Sequence, residues 1–139
     1  MNTVKIDVLD YDYTNGHKFY SAYESDKTFI VQVAPNNPFE MFVHQNQTDQ
    51  LICVSGEFNI VWIDPETDNL KAYTMAANCP TLVTVPPGIL HGTINTTDQK
   101  CMVVNAMLVH GEAIPEDYES HTELSQKHQE QYEQLIGIL

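Results

Sequence analysis

Between residues 28 and 109, short runs of apolar and β-branched residues alternate with clusters of turn-forming ones. The runs are 28–33 (TFIVQV), 39–44 (FEMFVH), 50–56 (QLICVSG), 57–63 (EFNIVWI), 70–75 (LKAYTM), 81–85 (TLVTV), 91–95 (HGTIN) and 101–109 (CMVVNAMLV). Pro, Asn and Asp fill the gaps at 34–38 (APNNP) and 64–69 (DPETDN), where their restricted backbones and short polar side chains favour turns over ladders. No helical period interrupts the series. Eight short strands at near-regular spacing predict an all-β, antiparallel sandwich or closed barrel, since closure is how a small antiparallel sheet hides its edges.

The flanks differ. Residues 1–27 are rich in Tyr and Asp (Tyr11, Tyr13, Tyr20, Tyr23) and read as an irregular segment with some edge-strand content. Beyond the barrel region, 28–110, lies a tail, 111–139. There Ser120-His121-Thr122-Glu123 has the form of a capping box, and Leu124, His128, Leu135 and Ile136 recur at roughly helical spacing. A helix over 121–136 is expected, its narrow apolar stripe suited to the barrel exterior or to a second subunit.

Charge narrows the partners. Nineteen acidic residues against six lysines give a net charge of −13, and arginine is absent. Such a surface repels nucleic acid and anionic membrane at long range. It also lacks the guanidinium fork that usually grips a diphosphate. The start, MNTVKIDVLD, has no basic region followed by an apolar run, so a cytoplasmic protein is expected. Cys53, Cys79 and Cys101 form no CxxC pair and are expected to be buried, reduced thiols.

The most informative segment is PPGILHGTIN, 86–95. Pro86 ends a strand, Gly88 permits a turn, and the chain re-enters a strand at His91. This stretch resembles the second motif of the cupin superfamily, PxGxxHxxxN, at Pro86, Gly88, His91 and Asn95, with Pro80 where the longer form has glycine. The first cupin motif, HxHxxxxExxxxxxG, is met in part. With Gly56 as anchor, His44 takes the second histidine position, Asp49 the glutamate position and Phe42 that of the first histidine. The resemblance implies a single cupin-type jelly-roll barrel, with His91 facing its interior.

The resemblance further implies a two-histidine, one-carboxylate set of His44, Asp49 and His91. Such a set holds a divalent transition metal (zinc, iron, manganese or nickel) with coordination positions open. Phe42 cannot coordinate, and the Asp49 carboxylate sits one methylene nearer the backbone than glutamate's. Strand alternation puts Glu40, Phe42 and His44 on one face, which adds Glu40 as a candidate if that face is inward. The alternative is a barrel without metal, in which His91 is hydrogen-bonded to neighbours such as Asn95 or Asn105.

PPGILHG together with QLICVSGEFNIVWID (50–64) is similar to the RmlC-like barrel of deoxysugar epimerases and ketoisomerases. That resemblance implies a His base with a Tyr acid, and His44 could stand for the base. It also implies basic residues for a nucleotide diphosphate. No lysine falls between Lys27 and Lys71, so a sugar-nucleotide substrate is disfavoured while the fold resemblance stands.

His17, His110, His121 and His128 have no evident partners and are expected to be solvated. Trp62, Phe42, Phe58 and Met107 either line the cavity or belong to the core. Two functions follow. One is a small cupin enzyme acting on a carbohydrate-like or oxidisable metabolite, either through a metal on His44, Asp49 and His91 or with His44 or His91 as general base. The other is a non-catalytic small-molecule-binding or accessory barrel with a degenerate, metal-free site, which the missing first histidine favours. A homodimer is expected, with no nucleic-acid or membrane partner.

Overall fold

A computed structural model describes residues 3–121 and 123–138. The strands are β1 (Lys5–Val8), β2 (Tyr11–Thr14), β3 (His17–Tyr20), β4 (Lys27–Val33), β5 (Met41–Phe42), β6 (Gln47–Ser55), β7 (Glu57–Ile63), β8 (Leu70–Ala76), β9 (Thr81–Val85), β10 (His91–Ile94) and β11 (Cys101–Val109). They form a five-stranded sheet, β1-β9-β6-β11-β4, and a four-stranded sheet, β5-β10-β7-β8, with every pairing antiparallel. This is the all-β antiparallel fold expected from the strand pattern, and the jelly-roll barrel implied by the cupin resemblance.

Alternation explains the interior. Leu51 and Cys53 on β6 and Val103 on β11 point between the sheets, where they meet Phe58, Ile60 and Trp62 of β7 and Met75 of β8. Each large apolar side chain buried there contributes about 1.5–3 kcal/mol. The β7–β8 turn is built by Asp64, whose carboxylate accepts hydrogen bonds from the Glu66 amide (3.2 Å) and the Thr67 hydroxyl (3.0 Å) and pairs with Lys71 (2.9 Å).

Several expectations need correction. The strand expected at 39–44 is only Met41–Phe42, and β6 begins at Gln47. In the N-terminal segment β1 supplies the expected edge strand, while residues 11–20 form a regular hairpin. Its turn is Asn15-Gly16, with φ of 50° and 79°, the pair of left-handed residues that matches strand twist. The C-terminal helix, α1, spans Gln126–Ile138. Its start is capped by the Ser125 hydroxyl, which accepts from the His128 amide at 3.2 Å. His121 instead exchanges backbone hydrogen bonds with Met41, and Thr122 of the expected capping box lies outside the described residues.

The region around α1 docks on the barrel exterior. Leu124, Tyr132 and Leu135 pack against Met41, Val61 and Ile94, and the Tyr132 ring stacks on Phe39 with centroids 4.2 Å apart. His128 is buried there and its Nε2 donates to the Asp68 carbonyl at 2.8 Å, so it is not solvated. Cys53 and Cys101 are buried free thiols as expected, whereas Cys79 is exposed. Among the described residues no helix is long and apolar enough to cross a membrane.

Candidate functional site

Three local features converge at one end of the barrel. Asp49 points inward from β6, directly opposite Val85 of β9. The turn 86–90 then carries the chain back into β10, whose first residue is His91. Gly88, at φ 84°, makes that turn, and its amide donates to the His44 carbonyl at 2.8 Å. This bond ties the loop bearing His44 to the loop that delivers His91.

The polar contacts are specific. Nδ1 of His91 donates to the Ile89 carbonyl at 2.9 Å, which fixes the ring and aims Nε2 at Asp49 Oδ2, 3.0 Å away. Oδ1 of Asp49 accepts from Gln47 Nε2 (2.8 Å) and Asn105 Nδ2 (3.0 Å). His44 Nε2 lies 3.6 Å from Asp49 Oδ2, and the His44 and His91 rings meet edge to face at 5.3 Å. His91 therefore bonds neither Asn95 nor Asn105, although Asn105 shares the network through Asp49. Asn95 instead closes the loop after β10, donating to the Val33 and Gln99 carbonyls and accepting from the Thr97 amide.

Electrostatics distinguish the members. Burial alone would raise the Asp49 carboxyl, but the hydrogen bond and charge of His91, with Asn105 and His44 adding to them, hold it at about 2. Burial pushes His44 below its ordinary value; His91 adds to that, and the Asp49 charge offsets it in part. Nδ1 of His44 is enclosed and, among the described residues, is the one buried side-chain polar atom without a hydrogen-bond partner. An unpartnered buried polar atom costs about 1–3 kcal/mol, so a fold that keeps one at a cleft keeps it against its stability.

A cleft of about 520 Å³ opens beside these residues. His44, Gln47, Asp49, Asn105, Met107 and Tyr118 line it, together with Lys27 and residues 29–32 of β4. Tyr118 and Gln47 carried no motif signal. Tyr118 reaches the cleft because the fully buried Asp117 accepts from the Gln45 amide (2.9 Å) and the Ile114 amide (3.3 Å), which holds the 3-10 turn Pro115–Tyr118 against the His44 loop. Its ring lies 6.1 Å from that of His44.

The other expected participants lie elsewhere. Glu40 is exposed and outside the cluster, because the alternation that would have turned it inward stops at the two-residue β5. Phe42 pairs with His91 across β5 and β10 and supplies only hydrocarbon. Phe58 and Trp62 are core, while Met107 lines the cleft. His17, His110 and His121 are exposed, His110 with its Nε2 2.7 Å from the Thr48 hydroxyl.

As a donor set, His44, Asp49 and His91 present ligand atoms all within 4.8 Å of one another. Two atoms bound to one ion at about 2.1 Å lie about 3.0–3.4 Å apart, close to the two Asp49–histidine separations. The three residues thus fit a divalent transition ion.

No family model and no curated protein sequence matches the chain. Solved structures do. A dTDP-sugar isomerase from Desulfovibrio desulfuricans superposes with a TM-score of 0.64 at 16% identity, over 83% of this chain and 85% of that one. A TDP-quinovose 3,4-ketoisomerase from Campylobacter jejuni gives 0.65 at 17% identity, over 83% and 90%. A sugar 3,4-ketoisomerase from Thermoanaerobacterium thermosaccharolyticum in complex with TDP gives 0.65 at 12% identity, over 94% and 96%. The barrel is therefore the RmlC-like cupin fold, at a sequence distance where similarity speaks for the fold alone.

Proposed function

We propose that the chain is an enzyme that moves a proton at a carbon next to a carbonyl group in a small, uncharged, carbohydrate-like molecule. The observation that carries this reading is His44, an enclosed imidazole at a cleft wall with one nitrogen unpartnered and an ionised carboxylate 3.6 Å from the other. With the ring proton on the enclosed Nδ1, Nε2 is the bare nitrogen, and Asp49 stabilises the imidazolium formed when Nε2 takes a proton.

In the step envisaged, His44 removes the hydrogen and the C–H electron pair moves into a new C=C bond. The carbonyl oxygen becomes an enolate oxygen, for which the Tyr118 hydroxyl and the Asn105 amide are the available donors. Return of the proton to the opposite face of that carbon yields the epimer. Where that carbon bears a hydroxyl, return to the former carbonyl carbon yields the isomeric carbonyl, as the hydroxyl proton passes to the enolate oxygen and the hydroxyl oxygen becomes the new C=O. Both outcomes involve no net redox change and no co-reactant. The similar structures are described as isomerases and ketoisomerases, which supports the reaction class. Their nucleotide substrates suit this cleft poorly, because Lys27 is its single cation and the chain has no arginine.

The test is a panel of neutral aldoses, ketoses and deoxyketoses followed by NMR. Wild type should interconvert at least one pair, and His44→Asn should slow it by about 10²–10⁴, the usual worth of a general base. No turnover across the panel, which the non-catalytic reading predicts, would overturn the proposal. So would full turnover by the variant.

A second reading rests on His91. Its Nδ1 donates to a carbonyl, so its contact with Asp49 needs a second ring proton or a metal ion between the two atoms. A zinc, iron, manganese or nickel ion on His44, Asp49 and His91 would polarise a substrate oxygen and would use His44 as ligand rather than base. Elemental analysis of untagged protein separates the readings. Less than about a tenth of an equivalent of metal, even after reloading, excludes the second, since three-ligand sites normally retain their ion.

A further inference from the structure

The two oxygens of Asp49 have different company. Oδ2 is turned toward His91 and His44, while Oδ1 is taken up by two side-chain amides, Gln47 Nε2 at 2.8 Å and Asn105 Nδ2 at 3.0 Å. An ionised carboxylate accepts hydrogen bonds and donates none. Each amide must therefore present its nitrogen to Asp49, and the direction of both amides is fixed.

The far ends of the amides differ. Asn105 spends its Oδ1 on the Gln50 backbone amide, 3.1 Å away, and has one N–H to spare. Gln47 keeps its oxygen. Among the described residues no donor meets Gln47 Oε1, and the one enclosed polar atom without a partner is His44 Nδ1, so Oε1 is open to solvent. Gln47 is otherwise buried, at 8% exposure, and the surface it keeps opens on the cleft and on a pocket of about 310 Å³ beside it. A glutamine that serves only the fold looks different: Gln131 of α1 uses both ends, its Oε1 accepting from the Leu70 amide at 2.8 Å and its Nε2 donating to Asn69 at 2.9 Å.

We propose that Gln47 determines specificity: its Oε1, held in place by Asp49, accepts a hydrogen bond from a substrate hydroxyl next to the carbonyl group. The inference rests on the reading of the cleft as a site for a carbohydrate-like carbonyl compound. It narrows that class to α-hydroxy ketones and α-hydroxy aldehydes. His44 and Gln47 approach the two oxygens of one carboxylate, so they meet neighbouring parts of a small molecule. The spare N–H of Asn105 and the Oε1 of Gln47 are one donor and one acceptor hung on a single oxygen, which matches a carbonyl oxygen beside a hydroxyl. An ether, a carboxylate or a phosphate would meet Oε1 oxygen against oxygen. A site built to bond a hydroxyl rejects the analogue that lacks it, because its own polar group is left unpaired. The amides use Oδ1 and the histidines face Oδ2, so Gln47 plays this part whether His44 is base or ligand.

The test is an NMR titration of the full-length chain, labelled with nitrogen-15, with D-fructose, D-tagatose and L-sorbose. Each sugar is also supplied with the hydroxyls flanking its carbonyl removed or methylated in turn. At least one ketose should move the side-chain amide resonance of Gln47, and one of its analogues should bind about tenfold to a hundredfold more weakly. Gln47→Met keeps the length of the side chain and removes the acceptor. It should weaken the parent ketose by the same factor and leave the affinity for that analogue unchanged, so the two losses do not add. A glutamine that only braces Asp49 would weaken both ligands alike. Should Gln47→Met lose the wild-type circular dichroism spectrum, the Gln47 resonance and the analogue series in wild type decide the matter. A ketose bound at Gln47 without turnover would count against His44 as a base and leave Gln47 in its role. Turnover of a ketose that leaves the Gln47 resonance unmoved, equal affinity for the parent and every analogue, or no ketose bound would each overturn the proposal.

Discussion

Asp49→Asn is the most informative single change at the site, because it alters charge and almost nothing else. The side chain keeps its shape. Its oxygen can still accept from Gln47 and Asn105, and its amide then faces Nε2 of His91, which takes the bare, neutral form because Nδ1 already donates to Ile89. What is lost is the fold's preference for the carboxylate. Asp49 titrates at 3.8 in the absence of its neighbours and at about 2 in the fold. A depression of that size corresponds to about 2 kcal/mol of stability at neutral pH. The sign follows from the direction: the contribution is complete above pH 3.8 and is lost as pH falls through about 2. Urea denaturation of wild type and variant should show a gap of about 2 kcal/mol at neutral pH, equivalent to about 5–10 °C in thermal midpoint. The gap should narrow below pH 3.8. Equal stability at neutral pH, or a gap that ignores pH, would refute the view that His91 and Asn105 hold Asp49 ionised.

Asn95→Ala removes a fully buried side chain and leaves the Val33 and Gln99 carbonyls and the Thr97 amide without their partner. It should cost about 3 kcal/mol in chemical denaturation, as expected when several buried hydrogen bonds lose one member. In Gly92→Ala a Cβ would run into the backbone carbonyl of Glu40. The β5–β10 pairing must part to admit it, and a thermal midpoint within a degree or so of wild type would contradict that packing. Deleting residues 120–139 uncovers Phe39, Met41 and Val61, so it should lower stability in chemical denaturation, and an unchanged midpoint would contradict that packing. His44, lowered by burial, should make wild type lose stability relative to His44→Asn as pH falls below 6.5, since protonating it favours the unfolded chain.

Much of this architecture is written in local pattern. The spacing from His44 to Gly56 lies along one loop and strand, and PPGILH is a turn that ends on a strand, so strand period and turn chemistry bring His44, Asp49 and His91 together. Tyr118 could not be found that way. It is delivered by a buried aspartate that satisfies a backbone amide in the loop carrying Gln45, a tertiary contact with no sequence period. Glu40 failed for the converse reason: alternation held on paper, but β5 ends after two residues and the face never formed. His128 was misjudged because its partner, the Asp68 carbonyl, is backbone supplied by a turn, which side-chain patterns do not reveal. The Asn15-Gly16 signal was legible, and the polar, Tyr-rich strands around it masked it.

The measurement that bears most directly on His44 as a base is isotope exchange. A substrate that the enzyme turns over is incubated in deuterium oxide and analysed by NMR and mass spectrometry. Deuterium should enter at the carbon next to the carbonyl with wild type, and at no more than about a hundredth of that rate with His44→Asn. Turnover that leaves this carbon free of deuterium, or exchange that persists in the variant, would contradict the account.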